Sequence, residues 1–344
     1  MWKKLLLLLL MAIPMVSANF ATDVVLVSDN CADQCCALEV ANALNATVIT
    51  TEWGIYNESV VNEILALNPT KVIIIGGPLA VVENYTTALE NAGITVERIG
   101  GKTRYETNAN VTLRFQNQFR YAYGNNTTAC VCYGFDDIAL NETMELIKNG
   151  TCLVLLTNGV NLTVEPQKLQ LKINKVEIVE NPICPFCNYS KLMLKLQKNG
   201  LKIEIKQIPK VKVKLMLQHR IKMMERRIFM LKRMGVNVTD LEEKLKEVEE
   251  LIKQNRYQDA YRIMVQLQGE QMAMVKLHLH PGGHGMAKGR INAMIANASH
   301  VYHQNANTSK IGIGGVNAPH IYHQNINNTQ IDVGKANISY VHNK

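Results

Sequence analysis

Two cysteines three positions apart, in Cys184-Pro185-Phe186-Cys187, are the side chains of this chain best spaced for covalent chemistry. They follow an apolar, strand-like run and open a helical stretch, a setting in which a helix N-terminus lowers the pKa of the leading thiol and readies it for thiol–disulfide exchange. Histidine is the other concentration of reactive groups. Eight of the nine histidines fall after residue 277, and His300/His303 recurs as His320/His323. Residues i and i+3 of one strand face opposite ways, so metal sites would need stacking across repeats, His300 with His320 or His303 with His323. Polar ladders without metal are the plainer expectation. The chain has no His-Glu-x-x-His, no Gly-x-Gly-x-x-Gly, no Walker sequence and no recognisable Ser-His-Asp or paired-carboxylate arrangement. No cofactor is expected.

The cysteine motif lies inside a duplication. Asn45, Asn57, Lys71, Pro78, Asn84 and Tyr85 reappear 104 positions later as Asn149, Asn161, Lys175, Pro182, Asn188 and Tyr189. In that alignment Cys184 and Cys187 take the places of Ala80 and Glu83. A cysteine pair added to one copy of a repeated loop reads more simply as a local disulfide than as a redox centre.

The elements that position these residues follow from hydrophobic pattern. Copy one predicts strands at 24–27, 46–50, 72–75 and 94–99, with helices at 32–44, 59–67 and 82–91. Copy two predicts strands at 130–133, 153–156, 176–179 and 201–208, with helices at 140–147 and before Lys198. Continuous apolar strands alternating with amphipathic helices mean a parallel sheet covered on both faces. The expected fold is a duplicated, Rossmann-like α/β module.

Copy one ends in Arg98-Ile99-Gly100-Gly101-Lys102-Thr103-Arg104-Tyr105-Glu106-Thr107, preceded by Val72-Ile73-Ile74-Ile75-Gly76-Gly77-Pro78. These segments resemble the cell-wall-binding repeat 2 family: an apolar strand, a Gly-Gly turn, a helix, a strand and an Arg-Ile-x-Gly-x-x-Arg-Tyr-x-Thr linker. The resemblance covers about residues 22–205. It implies an α/β surface module that holds proteins non-covalently on a cell-wall or surface-layer polymer, often an anionic one. Arg98, Arg104, Tyr105, Gly76 and Gly77 are then the polymer-binding candidates, since guanidinium groups offer forked donors to phosphate or carboxylate. The plainer roles are a lock between the copies for Arg104 and Glu106, and a tight turn for Gly76-Gly77. Copy two has Glu180-Asn181 in place of Gly-Gly and lacks the linker, so copy one is the expected binding copy. Taken alone, residues 176–208 also resemble the start of a glutaredoxin.

Compartment is read from the first residues. Lys3 and Lys4 precede an apolar run, and Val16-Ser17-Ala18 fits a small-residue cleavage site, which together predict a secretory signal peptide over 1–18. No later run reaches the roughly 18 apolar residues of a membrane span. Fifteen Asn-x-Ser/Thr sequons agree with export: Asn45, Asn57, Asn84, Asn110, Asn125, Asn126, Asn141, Asn149, Asn161, Asn188, Asn237, Asn297, Asn307, Asn327 and Asn337. All eight cysteines (Cys31, Cys35, Cys36, Cys130, Cys132, Cys152, Cys184 and Cys187) lie in the duplicated region. In an exported chain they are disulfide candidates, with Cys152 the better partner for Cys130 or Cys132.

Beyond Pro209 the character changes. Residues 202–233 hold 11 Lys or Arg against two Glu. Leu217, Ile221, Met224, Ile228 and Leu231 form an a/d seam, continued after Gly235 by Leu241, Leu245, Val248 and Ile252. Thr239-Asp240-Leu241-Glu242 reads as a capping box, and a third helical segment runs from Tyr257 to about Leu279. The basic helix is a solvated face or a seat for an acidic glycan; nucleic acid is not an expected partner. The predicted organisation is a signal peptide (1–18), copy one (19–115), copy two (116–209), a helical hairpin or small coiled coil acting as spacer (210–280), and a Gly/His linker with a 20-residue β-repeat tail (281–344). The expected function is a secreted, N-glycosylated, non-enzymatic cell-surface protein that attaches to an envelope polymer and assembles through its C-terminal half. Its sequon density points to a prokaryotic, archaeal-type surface layer. The alternative is an exported thiol–disulfide oxidoreductase using Cys184 and Cys187.

Overall fold

The computed structural model of the protein describes residues 23–124, 127–150 and 152–279. The expected signal peptide and the repeat tail, with its His300, His303, His320 and His323, lie outside these residues. Copy one consists of Val24–Ser28 (β1), Cys31–Leu44 (α1), Thr47–Thr51 (β2), Glu58–Ala66 (α2), Lys71–Ile75 (β3), Glu83–Asn91 (α3) and Thr95–Ile99 (β4). Arg104–Tyr123 (α4) leads to copy two: Thr127–Tyr133 (β5), Asp137–Lys148 (α5), Cys152–Thr157 (β6), Ile173–Glu180 (β7), Ser190–Lys198 (α6) and Lys202–Gln207 (β8). Each copy forms a four-stranded parallel sheet, in the orders β2-β1-β3-β4 and β6-β5-β7-β8. The duplicated α/β module is therefore present. The central strands are buried because helices cover both faces; Val24 to Val27 and Val72 to Ile75 have no exposed surface. Where copy one has α2, copy two has a loop punctuated by Gly159 and Pro166 with a single turn of 3₁₀ helix at Pro166–Lys168.

The segment expected to be a linker is instead the long helix α4, and the expected boundary at 115/116 falls inside it. Thr103 caps the helix by accepting from the Glu106 N–H (3.2 Å), while the Glu106 carboxylate accepts from the Lys102 N–H (2.7 Å). The buried face of α4 carries Tyr105, Asn108, Val111, Phe115 and Phe119. Together with α1 it covers the edge of the second sheet, where an open strand would leave backbone groups unpaired. Asn108 donates to the Val154 carbonyl (3.0 Å) and accepts from the Leu156 N–H (3.1 Å). The Val154 N–H donates to Glu39. Burial holds the Glu39 carboxyl well above the usual carboxylate range, against that bond.

A third unit follows: Lys210–Arg233 (α7), Thr239–Lys253 (α8) and Tyr257–Leu279 (α9). Leu217, Met224, Ile228 and Leu231 are buried along the predicted seam, with Ile221 half-buried. Leu241, Leu245 and Val248 continue it, but Leu251 rather than Ile252 is the fourth buried residue. The capping box does not form. Val238 occupies the cap position without a side-chain bond, and Asn237 one residue earlier accepts from both the backbone N–H and the hydroxyl of Thr239. Nor is the unit a free-standing spacer. Arg220 on α7 pairs with Asp137 at the start of α5. Arg227 pairs with Asp29 after β1 at 2.5 Å, and the Tyr261 hydroxyl on α9 donates to Asp136 at 2.7 Å. The helices thus sit on the C-terminal ends of the strands of both copies.

Burial sets what each of these charges costs to remove. Asp137→Ala leaves Arg104 and Arg220 without their shared anion, and is expected to cost about 3–5 kcal/mol in chemical denaturation. Lys253→Ala, at an exposed pair, should leave the denaturation midpoint where wild type has it. Asp33 on α1 is buried, its Oδ1 has no hydrogen-bond partner, and burial raises its pKa from 3.8 to about 7, opposed by Arg104. A raised folded pKa means stability that is complete at low pH and lost as pH climbs through that window. Asp33→Asn should therefore raise the melting temperature at pH 8 and change it little at pH 4; an equal gain at both would refute the assignment.

Candidate functional site

Doubly wound sheets place ligands outside the carboxyl ends of the strands, where strand order reverses. In copy two that point lies between β5 and β7. Asp136 follows β5 and caps α5, its Oδ1 accepting from the Ala139 N–H at 3.2 Å. Asn181 follows β7 and donates to the same oxygen at 3.0 Å; Tyr261 from α9 is the third donor. Cys184 and Cys187 are joined as a disulfide, with the Cys187 sulfur 3.5 Å from Asp136 Oδ2. Phe186, between the cysteines, is buried and stacks on the Tyr261 ring at 6.1 Å. The pair does not open a helix as expected. Turns occupy 182–186, α6 begins only at Ser190, and Asn188 accepts from the Ser190 N–H. Cys184 therefore does not sit at the helix terminus.

In copy one the reversal lies between β1 and β3. Arg227 reaches into it to Asp29, leaving a cleft bordered by Asp29, Glu52, Trp53, Arg226, Arg227 and Met230. Gly76-Gly77 lies beside this point as a tight turn: the Gly77 carbonyl accepts from Ala80 N–H (2.9 Å) and Val81 N–H (3.1 Å). Its second role is steric. A Cβ on Gly100 would lie 2.7 Å from the backbone of Gly76 and Gly77, so the two glycine pairs let the loops after β3 and β4 touch.

The remaining polymer-binding candidates are engaged inside the fold. Arg98 donates to the carbonyls of Val81 (2.8 Å) and Gly76 (3.2 Å) and to the Thr86 hydroxyl (2.9 Å). Arg104 donates to the Gly134 carbonyl at 2.6 Å and lies 4.1 Å over the Phe135 ring. Tyr105 is buried against Gly134 and Phe135. Arg104 and Tyr105 are thus the lock between the copies, and burial withdraws both from contact with a polymer. Glu106 serves the α4 cap rather than the lock.

Nine sequon asparagines fall within the described residues. Asn45, Asn57, Asn84, Asn110, Asn149, Asn188 and Asn237 are exposed; Asn141 and Asn161 are half-buried. The four buried asparagines, Asn30, Asn108, Asn158 and Asn181, all stand outside sequons. Asn125, Asn126, Asn297, Asn307, Asn327 and Asn337 lie outside the described residues. Of the other disulfide candidates, Cys31, Cys35, Cys36, Cys130, Cys132 and Cys152 are free thiols here. Burial pushes the Cys31 thiol up to about 12 and those of Cys35, Cys36 and Cys132 upward as well, so none of these is an activated nucleophile. Sequence reasoning missed Asp136, Asp137, Arg220 and Tyr261. The available signal was an Asp-Asp pair directly after a strand, at the helix-cap position that Asn30 fills in copy one.

No protein-family profile matches the chain. Among solved structures, Cwp6 from Clostridium difficile overlaps 54% of this chain with 20% identity and a TM-score of 0.41, and the chain spans 28% of that protein's length. Among curated proteins, the uncharacterized protein MJ0755 of Methanocaldococcus jannaschii is 82% identical over 328 residues, which are 92% of this chain and 96% of that protein. The chain belongs to the same family as MJ0755.

Proposed function

We propose that this is a secreted, N-glycosylated cell-surface protein that attaches non-covalently to an anionic cell-wall or surface-layer polymer and assembles through its C-terminal half. The observation that carries the reading is the sorting of asparagines: every described acceptor reaches the surface, and every buried asparagine lies outside a sequon. An attached glycan requires that placement. The reading assigns no catalysis to attachment.

With Arg98, Arg104 and Tyr105 spent internally, the attachment seat moves to the cleft of copy one and the adjoining face of α7. Trp53 and Arg226 border that cleft, and the exposed Lys222 lies one turn before Arg226 on α7. An aromatic ring beside a row of cations suits an acidic glycan: the ring packs against a sugar face, and the cations meet its carboxylates or phosphates. Glu225 is the single exposed acid among 210–233.

The purified mature protein is expected to sediment with envelope fragments and to be released by salt, since exposed charge contacts are screened within about 3 Å at 1 M. Arg226→Glu with Lys222→Glu should lower the bound fraction several-fold, whereas Lys253→Glu on α8 should not. A mature protein that neither sediments with envelope nor self-associates contradicts the proposal.

A further inference from the structure

The reversal point of copy two contains a group that a structural disulfide does not need. Asp136 is completely buried. Its two oxygens are unequal: Oδ1 accepts from Ala139, Asn181 and Tyr261, while the hydrogen-bonding-range neighbour of Oδ2 among the described residues is the Cys187 sulfur at 3.5 Å. A sulfur in a disulfide carries no hydrogen. Any proton in that contact is therefore the carboxyl's, placed on Oδ2 toward the sulfur. Burial raises the Asp136 carboxyl from its ordinary value, against the three hydrogen bonds.

We propose that Cys184–Cys187 is a thiol–disulfide exchange centre in which Asp136 carries the proton, giving it to Cys187 when the bond is reduced and taking it back when the bond re-forms. The inference goes beyond attachment and does not depend on it. Copy one supplies the internal control. Asn30 stands at the equivalent helix cap, and Ala80 and Glu83 stand at the cysteine positions. Cap, first sulfur and second sulfur have thus changed together. An acid in place of the cap amide carries a desolvation cost when buried, set against its three hydrogen bonds.

The reacting partner is a protein or small-molecule dithiol. Its first thiolate attacks the half-exposed Cys184 sulfur. The S–S bond breaks, its electron pair passes to Cys187, and Asp136 Oδ2–H protonates the departing thiolate. A mixed disulfide now joins Cys184 to the partner. The partner's second thiolate attacks its own sulfur in that bond, expelling Cys184 as a thiolate that is protonated by water, and Asp136 regains its proton from solvent. The partner leaves as a disulfide, having given up two electrons and two protons that remain on Cys184 and Cys187. In reverse, the Cys184 thiolate attacks a partner disulfide, Asp136 as carboxylate removes the Cys187 proton, and the Cys187 thiolate closes the bond to Cys184, so that the partner leaves reduced as a dithiol.

The test follows reduction of the folded, full-length oxidised protein by dithiothreitol, by alkylation and mass spectrometry from pH 5 to 9. Wild type should be reduced without unfolding. Asp136→Asn should slow this at least about tenfold near neutral pH, general-acid contributions being about 10²–10⁴, and should remove a step from the pH profile of the rate per thiolate. Should that variant not fold, Tyr261→Phe keeps the ring stacked on Phe186 and removes one donor to Oδ1, and should move the step to higher pH. With oxidised glutathione, Cys187→Ser should trap a mixed disulfide on Cys184 much faster than Cys184→Ser traps one on Cys187. A disulfide that resists dithiothreitol until the protein unfolds, a pH profile unchanged in both carboxyl-site variants, or equal trapping at the two sulfurs overturns the proposal.

Discussion

One buried anion joins the three units of this protein. Asp137 opens the first helix of copy two, lies 4.0 Å from Arg104 at the start of the inter-copy helix, and pairs with Arg220 from the helical unit. All three side chains are largely or wholly buried. Arg104 also donates to the Gly134 carbonyl and covers the Phe135 ring, so the ion pair is held by shape as well as charge. Two guanidinium groups cannot remain in so dry a place without a shared carboxylate. Removing the anion would push apart copy one, copy two and the helices at once. Other docking contacts, among them Arg227 with Asp29 and Tyr261 with Asp136, lie on the same side and depend on the helices staying down.

This arrangement turns an open, duplicated scaffold into a closed one. In isolation each sheet would present a crevice at its reversal point and an edge strand on its flank. Asn108 and Glu39 cover the β6 edge, α7 and α9 cover the strand ends, and among the described residues a cleft stays open in copy one. The copies have diverged accordingly. Copy one keeps the glycine corner and faces the basic helix; copy two exchanges its cap asparagine for Asp136 and acquires a cysteine pair. Divergence of that kind fits a binding copy and a redox-capable copy on one frame.

The strands and helices of both copies were legible in sequence because buried parallel strands are continuous apolar runs and their helices have apolar faces. Val72 to Ile75 and Val82 to Asn91 needed nothing further. The helix α4 was not legible, since its buried face includes Tyr105, Asn108 and Thr112, which become core only against α1 and β6. The docking of the helical unit escaped for the same reason: an a/d seam records how helices pack on one another, whereas Arg220 and Tyr261 act across more than 80 residues of sequence. Arg98 and Arg104 looked like ligand groups because exposed and internal arginines have the same sequence signature. Their carbonyl partners, Val81 and Gly134, are fixed by the fold alone.

The proposed surface role rests on sequon asparagines that reach solvent wherever the described residues include them. Glycopeptide mapping of the protein from fractionated native cells tests this most directly. The account predicts recovery in the envelope fraction, beginning near Asn19, with glycans on Asn45, Asn57, Asn84 and Asn237. Recovery from the soluble interior with an intact N-terminus and unmodified asparagines would contradict it.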